Sequence, residues 1–158
     1  MQVVAVILVG AILGLLFLVY GAATSAGAST DYDAAVTYWT NRYIIPKRRA
    51  QAMAQVESNW NPRAQGLAGE IGLYQIKPVF LDTVNTVYGT TYTAGNLYTP
   101  EVNIEVAMRG LAWLRGQTGS LDAATQAFHL GLDGYQDPSK LDDAEAYLES
   151  VRNAEGNY

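Results

Sequence analysis

The stretch Ala50–Pro78, AQAMAQVESNWNPRAQGLAGEIGLYQIKP, decides how the rest of the chain is read. Its first part predicts a helix that opens at Pro46, where a missing N–H costs nothing, and continues through Ala, Gln and Met. Ala50, Met53 and Ala54 fall on one face at the i, i+3, i+4 spacing, and Glu57 is the i+7 member of that face. The apolar stripe therefore ends in a carboxylate that points inward. Desolvation disfavours the charged form and raises the pKa, which is what a general acid needs if it is to hold its proton near neutrality. Asn61-Pro62 then stops the helix, and Gly66, Gly69 and Gly72 follow within seven residues. A loop of that kind lets backbone approach a ligand closely. An inward acid beside a glycine-rich loop outlines a cleft.

On periodicity alone, Glu57 reads equally well as a buried acid paired with Arg48, Arg49 or Arg63 to hold the helix. The neighbouring blocks favour chemistry. Glu57-Ser58 at a helix end, Asn61-Pro62-Arg63-Ala64, and Gly72-Leu73-Tyr74-Gln75 resemble, in order and spacing, the catalytic segment of the soluble lytic transglycosylases. These are relatives of goose-type lysozyme that cut bacterial peptidoglycan. The resemblance extends through Asn103-Ile104, a helix that supports the active-site wall in that family. It continues with Ala127-Phe128-His129, where the family carries Ala-Tyr-Asn, and with Ala146-Tyr147-Leu148, whose tyrosine lies by the catalytic acid. It spans roughly Pro46 to Val151.

The resemblance implies an all-α, lysozyme-like transglycosylase domain. Glu57 is its catalytic residue, first acid and then base, and Ser58, Tyr74, Gln75, Phe128, His129 and Tyr147 line the substrate subsites or orient the acid. Three departures bear on substrate detail: His129 replaces Asn, Phe128 replaces Tyr, and Tyr74 replaces Met. Neither a metal nor a cofactor is expected. The implied reaction breaks the MurNAc–GlcNAc bond and closes an anhydro ring on the muramic acid's own primary hydroxyl.

Glu70 opens a different outcome. A glycosidase that uses water needs two carboxylates, ~5–5.5 Å apart for retention and ~6.5–9.5 Å for inversion. Were Glu70 to face the cleft, it would be that second carboxylate and the enzyme a lysozyme-type muramidase. The plainer expectation is a loop acid that accepts N–H bonds from its neighbours or pairs with Lys77. A third reading is a catalytically idle wall-binding or structural membrane protein that keeps the fold.

The rest of the chain supplies the setting. Its 158 residues allow one domain with a real core. A net charge of −5 argues against a protein built to coat nucleic acid, and without cysteine there are no disulfides or thiolate metal sites. Val3–Tyr20 is apolar throughout apart from Gly10 and Gly14. At about 1.5 Å per residue it reaches roughly 27 Å, enough to cross a hydrocarbon core of ~30 Å. Residues 1–22 therefore read as one transmembrane helix, an anchor or an uncleaved signal. A cleaved signal with Ala26-Gly27-Ala28 at its cut site is the weaker reading, because no basic residue precedes a run longer than the usual signal core. Gly10 and Gly14 form a weak Gly-x-x-x-Gly packing signal. Residues 23–30 read as a flexible linker of small residues, and 31–158 as the domain. Asp31 and Asp33 precede the first basic residue, Arg42, which fits a domain facing the periplasm and cell wall. One anchor and one small domain suit local wall opening for a larger assembly, such as a phage virion or a secretion or conjugation apparatus.

Helices are expected from Asp31 or Asp33 as cap to Ile44, with Tyr32, Val36, Trp39 and Tyr43 inward, and from Pro78 to the residue before Gly89, with Phe80, Val84 and Val87 inward. Leu73–Ile76 is too short to classify, an extended segment being one option, and Thr90–Thr99 reads as a loop. Thr99-Pro100-Glu101 starts a helix that ends at Gly116. Ser120 caps another through His129. The last, Asp142–Ala154, buries Leu141, Ala144, Leu148 and Val151.

Overall fold

A computed structural model describes residues 31–158; the expected anchor (1–22) and linker (23–30) lie outside the described residues. The helices are α1 (Asp33–Tyr43), α2 (Lys47–Ser58), α3 (Pro78–Tyr88), α4 (Pro100–Thr118), α5 (Leu121–Leu130), α6 (Leu132–Tyr135) and α7 (Leu141–Glu155). Short 3₁₀ turns span Ala94–Tyr98 and Pro138–Lys140. Among the described residues there is no strand, only the isolated antiparallel bridges Gln65–Ile71 and Ile71–Ile76. The all-α expectation holds.

The core forms around α4, which is buried on most of its circumference: Asn103, Ile104, Val106, Ala107, Met108, Gly110, Leu111 and Leu114 are all enclosed. A helix apolar on so many sides must be wrapped, and α1, α3 and α5 do the wrapping. Each fully buried Leu, Ile or Met contributes about 2 kcal/mol. Gly110 marks the closest approach, since a Cβ there would stand 2.3 Å from the Phe80 ring. The second layer is α2 packed against α7, with α5 bridging to α7; these three helices carry Glu57, Ser58, Phe128, His129 and Tyr147, and the loop after α2 carries Glu70, Tyr74 and Gln75.

Arg49 ties that layer together. Its side chain is buried in the first turn of α2. It donates from Nη1 to Thr125 Oγ1 at 2.9 Å, from Nη2 to Asp122 Oδ1 at 2.9 Å, and from Nε to Glu155 Oε1. One guanidinium thus joins α2, α5 and α7. Arg115 does similar work for α1, donating to the end carbonyls of Tyr43 at 2.9 Å and Ile44 at 2.8 Å.

Several local expectations are corrected. Neither Asp31 nor Asp33 caps α1: Tyr32 holds the cap position without a side-chain bond, and Asp33 sits in the first turn paired with Lys47 at 2.5 Å. Pro46 is the cap of α2 and not its first helical residue. On α3 the inward residues are Leu81 and Val84, while Val87 is 46% exposed. Both registers fit the spacing, and Tyr88 decides between them by donating to the Arg109 carbonyl at 2.9 Å. Helix α4 runs through Gly116 and ends where Gly119 turns left-handed at φ 84°. A helical glycine costs only about 1 kcal/mol, and the turn beyond it lets the Thr118 hydroxyl donate to the Leu114 carbonyl at 2.9 Å. The loop before α4 contains a 3₁₀ turn closed by a Thr93/Asn96 capping box, and it buries Leu97. Leu141 is 57% exposed, and burial in α7 begins at Ala144.

Candidate active site

Leu73–Ile76, too short to classify from its sequence, is a tight turn. Ile71 and Ile76 exchange N–H···O bonds at 3.0 Å, and the chain reverses between them with Gln75 at φ 45°. Asn103, fully buried on α4, holds this turn from below. Its Nδ2 donates to the carbonyls of Ile71 and Leu97 at 2.9 Å, and its Oδ1 accepts the Tyr74 N–H at 2.9 Å. Gly72 makes the approach possible. At φ 79°, a Cβ there would meet Asn103 Nδ2 at 2.3 Å and the Leu97 carbonyl at 2.6 Å. Ser58 joins the turn to the end of α2: its hydroxyl donates to the Leu73 carbonyl at 2.8 Å and accepts the Asn61 N–H at 3.2 Å.

Glu57 stands in the last turn of α2, over this turn and against α7. It is half-buried on the stripe with Ala50, Met53 and Ala54, which are fully enclosed. Tyr147 on α7 donates its hydroxyl to Glu57 Oε1 at 2.5 Å. Burial dominates the carboxyl's protonation and pushes its pKa up from 4.5 to about 7; the Tyr147 hydrogen bond and the charge of Lys77 oppose the rise, and the charge of Glu70 adds to it. The Tyr147 hydroxyl is itself held well above its usual value, first by burial and then by the charge of Glu57. It remains a donor throughout. None of Arg48, Arg49 or Arg63 pairs with Glu57, and Arg49 is engaged elsewhere.

The aromatic wall comes from α5. His129 stacks on Tyr147 with ring centroids 4.3 Å apart and planes within 7°. Burial lowers its pKa, while Asp143, 3.7 Å from Nε2, opposes the shift, and the neutral ring results. Phe128 packs edge-to-face on Phe80 at 5.3 Å. Gln75 is half-buried and donates from Nε2 to the Gly72 carbonyl at 2.9 Å. The arrangement offers one proton-carrying carboxyl, a phenol that steadies it, and a part-exposed imidazole stacked on that phenol.

The model of the transglycosylase SLT domain matches residues 34–150. The chain belongs to this family. The soluble lytic murein transglycosylases of Escherichia coli K12 and O157:H7 are each 34% identical over 84 residues, which is 52% of this chain and 13% of theirs. The chain thus spans a small part of those relatives' length. Among solved structures, the 70-kDa soluble lytic transglycosylase of Escherichia coli matches with a TM-score of 0.70 at 22% identity, over 78% of this chain and 23% of that one. A complex of the 70-kDa enzyme with bulgecin A matches at 0.65 and 25% identity, over 82% and 22%. An inactive mutant of Pseudomonas aeruginosa Slt matches at 0.67 and 18%, over 78% and 23%. The matches at 22% and 18% identity bear on the fold of the SLT domain.

Within this SLT domain the structure joins Glu57 to Tyr147 and Tyr147 to His129, while Phe128 packs on Phe80 and Gln75 bonds to the Gly72 carbonyl. Two site expectations change. Tyr74 does not line an open subsite: it is fully buried, and its hydroxyl donates to the Ala50 carbonyl at 3.0 Å, locking the turn against α2. Its polar tip found a backbone acceptor inside, as a buried phenol must. Ser58 spends its hydroxyl on the chain itself, so it orients Glu57 through the backbone. Glu70 follows the plainer expectation. One carboxylate oxygen accepts the Ala68 N–H at 3.0 Å and the other faces Lys77 at 3.7 Å. Two residues with clear structural roles carried only a faint signal. Asn103 was legible as support from the Asn-Ile block, but not its three bonds. Arg49 was one of several basic residues at the start of α2, and only long-range packing singles it out.

Proposed function

We propose that this SLT domain is a peptidoglycan lytic transglycosylase that cleaves the MurNAc–GlcNAc bond with Glu57 as the sole acid–base group. The observation that carries the reading is the Glu57–Tyr147 hydrogen bond of 2.5 Å at a desolvated carboxyl whose pKa lies at about 7. Such a group is partly protonated at neutrality and can act in both directions. Protonated Glu57 gives its proton to the glycosidic oxygen as the C1–O bond breaks. The resulting carboxylate, steadied by the Tyr147 hydroxyl, takes the proton of the muramic acid's primary hydroxyl as that oxygen bonds to C1. The products are a 1,6-anhydro-muramoyl end and a free 4-hydroxyl. Water is not consumed and Glu57 ends as it began. His129, part-exposed, turns its outer face to the sugar, and Tyr147 behind it holds the acid, with Phe128 and Gln75 as further subsite residues.

The muramidase alternative loses support, because Glu70 is engaged with its own loop and with Lys77. Mass spectrometry of sacculi digested by the protein separates the two. Anhydro-muramic ends support transglycosylation, and reducing ends with a solvent-derived oxygen overturn it.

The apolar run Val3–Tyr20 supports a second element of the reading, attachment to a membrane with the domain facing the wall. Among the described residues no helix is long and apolar enough to cross a membrane, so that role rests on this segment alone. Tethered catalysis confines cutting to the vicinity of the anchor, which suits opening of the wall for a virion or a secretion or conjugation apparatus. Recovery of the full chain in a carbonate-washed membrane fraction is the expected result; release by carbonate contradicts it.

A further inference from the structure

The chain leaves α2 by an uncommon route. Asn59 and Trp60 both stand in the left-handed region, at φ 51° and 62°, directly after Glu57 and Ser58. Their N–H groups close the helix on the carbonyls of Gln55 at 2.9 Å and Ala54 at 3.3 Å. Asparagine tolerates that backbone, but a bulky tryptophan adopts it only where its surroundings hold it there. Here they do. The Trp60 ring is 2% exposed, stacks on Tyr32 with centroids 6.1 Å apart, and donates from Nε1 to the Tyr158 hydroxyl at 2.9 Å. Tyr158 donates in turn to Gln55 Oε1 at 3.3 Å, and Gln55 Nε2 donates to Asn59 Oδ1 at 2.6 Å. Trp60, Tyr158, Gln55 and Asn59 thus close a ring around the end of α2.

Resting on the reading of Glu57 given above, we propose that Tyr158 is a positioning residue for the reaction, fixing through Trp60 and Gln55 the helix end that carries Glu57. Tyr158 follows α7 and is tied back to it by its N–H, which donates to the Glu155 carbonyl at 3.2 Å. That end of α7 is itself anchored, since the Glu155 carboxylate accepts from Arg49. The helix that grips the Glu57 carboxyl through Tyr147 therefore also grips the chain on both sides of it, at Gln55 and at Trp60. Glu57 must reach the glycosidic oxygen and then the primary hydroxyl, and a misplacement of about 1 Å can cost about a hundredfold in rate. Tyr158 does not touch Glu57 and acts through the strained turn. The competing explanation is that the ring is a plain staple between α2 and α7 and carries stability alone.

The test compares the full chain with Tyr158→Phe, which keeps the phenyl ring and loses the hydroxyl, and with Gln55→Met, which opens the same ring of contacts at another point. Release of anhydro-muramoyl ends from soluble glycan oligomers gives kcat and KM, and a thermal scan gives the folded fraction. Each variant lowers kcat about tenfold at a temperature where it is fully folded, with KM unchanged. The double variant is no worse than either single one, because both break the same ring. In a Tyr147→Phe background the loss from Tyr158→Phe shrinks to about twofold, since the carboxyl is already free of α7. A kcat equal to the parent's, a loss that only follows the folded fraction, or losses that multiply with Tyr147→Phe overturns the proposal. Failure of the underlying reading shows in the parent chain, which then yields reducing ends or no cut at all.

Discussion

Replacing Tyr147 by phenylalanine removes one hydroxyl and keeps the ring that stacks on His129. The lost contact is the O–H···O bond of 2.5 Å to Glu57 Oε1. A hydrogen bond to a charged group contributes about 1.5–3 kcal/mol, and part of it survives when the carboxyl is protonated, so about 1.4 kcal/mol separates the two protonation states. The sign follows. The bond favours the carboxylate, its loss favours the acid, and the Glu57 pKa rises further above about 7. The other charges facing Glu57 are those of Lys77 and Glu70, which the substitution leaves in place. Initial cleavage needs the protonated acid, so the alkaline limb of kcat/KM moves upward by about one pH unit. On the plateau kcat falls about tenfold, because the acid is no longer held against α7. The assay is release of soluble anhydro-muropeptides from purified sacculi across a pH series. An alkaline limb that stays in place or moves down refutes the assignment of Tyr147 as the group that steadies Glu57.

Other outcomes follow from the same geometry. Glu70→Gln keeps activity and still yields anhydro-muramic ends, with the alkaline limb moving slightly down because a negative charge near Glu57 is gone; product analysis and a pH series check both. Arg49→Met leaves Asp122 and Glu155 without their shared cation between α2, α5 and α7 and costs about 2 kcal/mol, reduced from a fully buried pair because Asp122 is part-exposed; urea unfolding measures it. Glu57→Gln stabilises the fold at alkaline pH. Because the folded pKa of Glu57 is raised from 4.5 to about 7, its contribution to stability is fully present below 4.5 and lost as pH rises through about 7. The amide carries no such penalty, so the variant is more stable than the parent by about 3 kcal/mol above that range and equal to it in acid, as read by denaturant midpoints at the two extremes.

The parts of the fold that could be read in advance are those written in local periodicity. The stripe Ile104, Ala107, Met108, Leu111 and Leu114 on α4 needed only the 3.6-residue repeat, and the Ser120 cap of α5 needed only its position before an apolar run; its Oγ does accept the Ala123 N–H at 3.1 Å. The inward place of Glu57 was legible because a carboxylate in an apolar stripe contradicts ordinary patterning, but periodicity left its role open and only the flanking blocks favoured chemistry. What could not be read depends on partners distant in sequence. Val87 and Tyr88 are both compatible with a buried face, and the Arg109 carbonyl chooses between them. Tyr74 looked like a cleft wall with a polar tip, yet its hydroxyl reaches the Ala50 carbonyl inside the core. The left-handed Gln75 has no warning in its residue type, because the conformation is imposed by the Ile71–Ile76 bridge.

The central claim is that Glu57 alone carries the proton in both halves of the reaction. It is tested most directly by incubating sacculi with the full chain carrying Glu57→Gln and quantifying anhydro-muramoyl ends by mass spectrometry, alongside a thermal scan. The account predicts a folded protein and a loss of at least a thousandfold in product, the scale on which essential acid–base groups act. Undiminished anhydro-muramoyl release from the folded variant contradicts it.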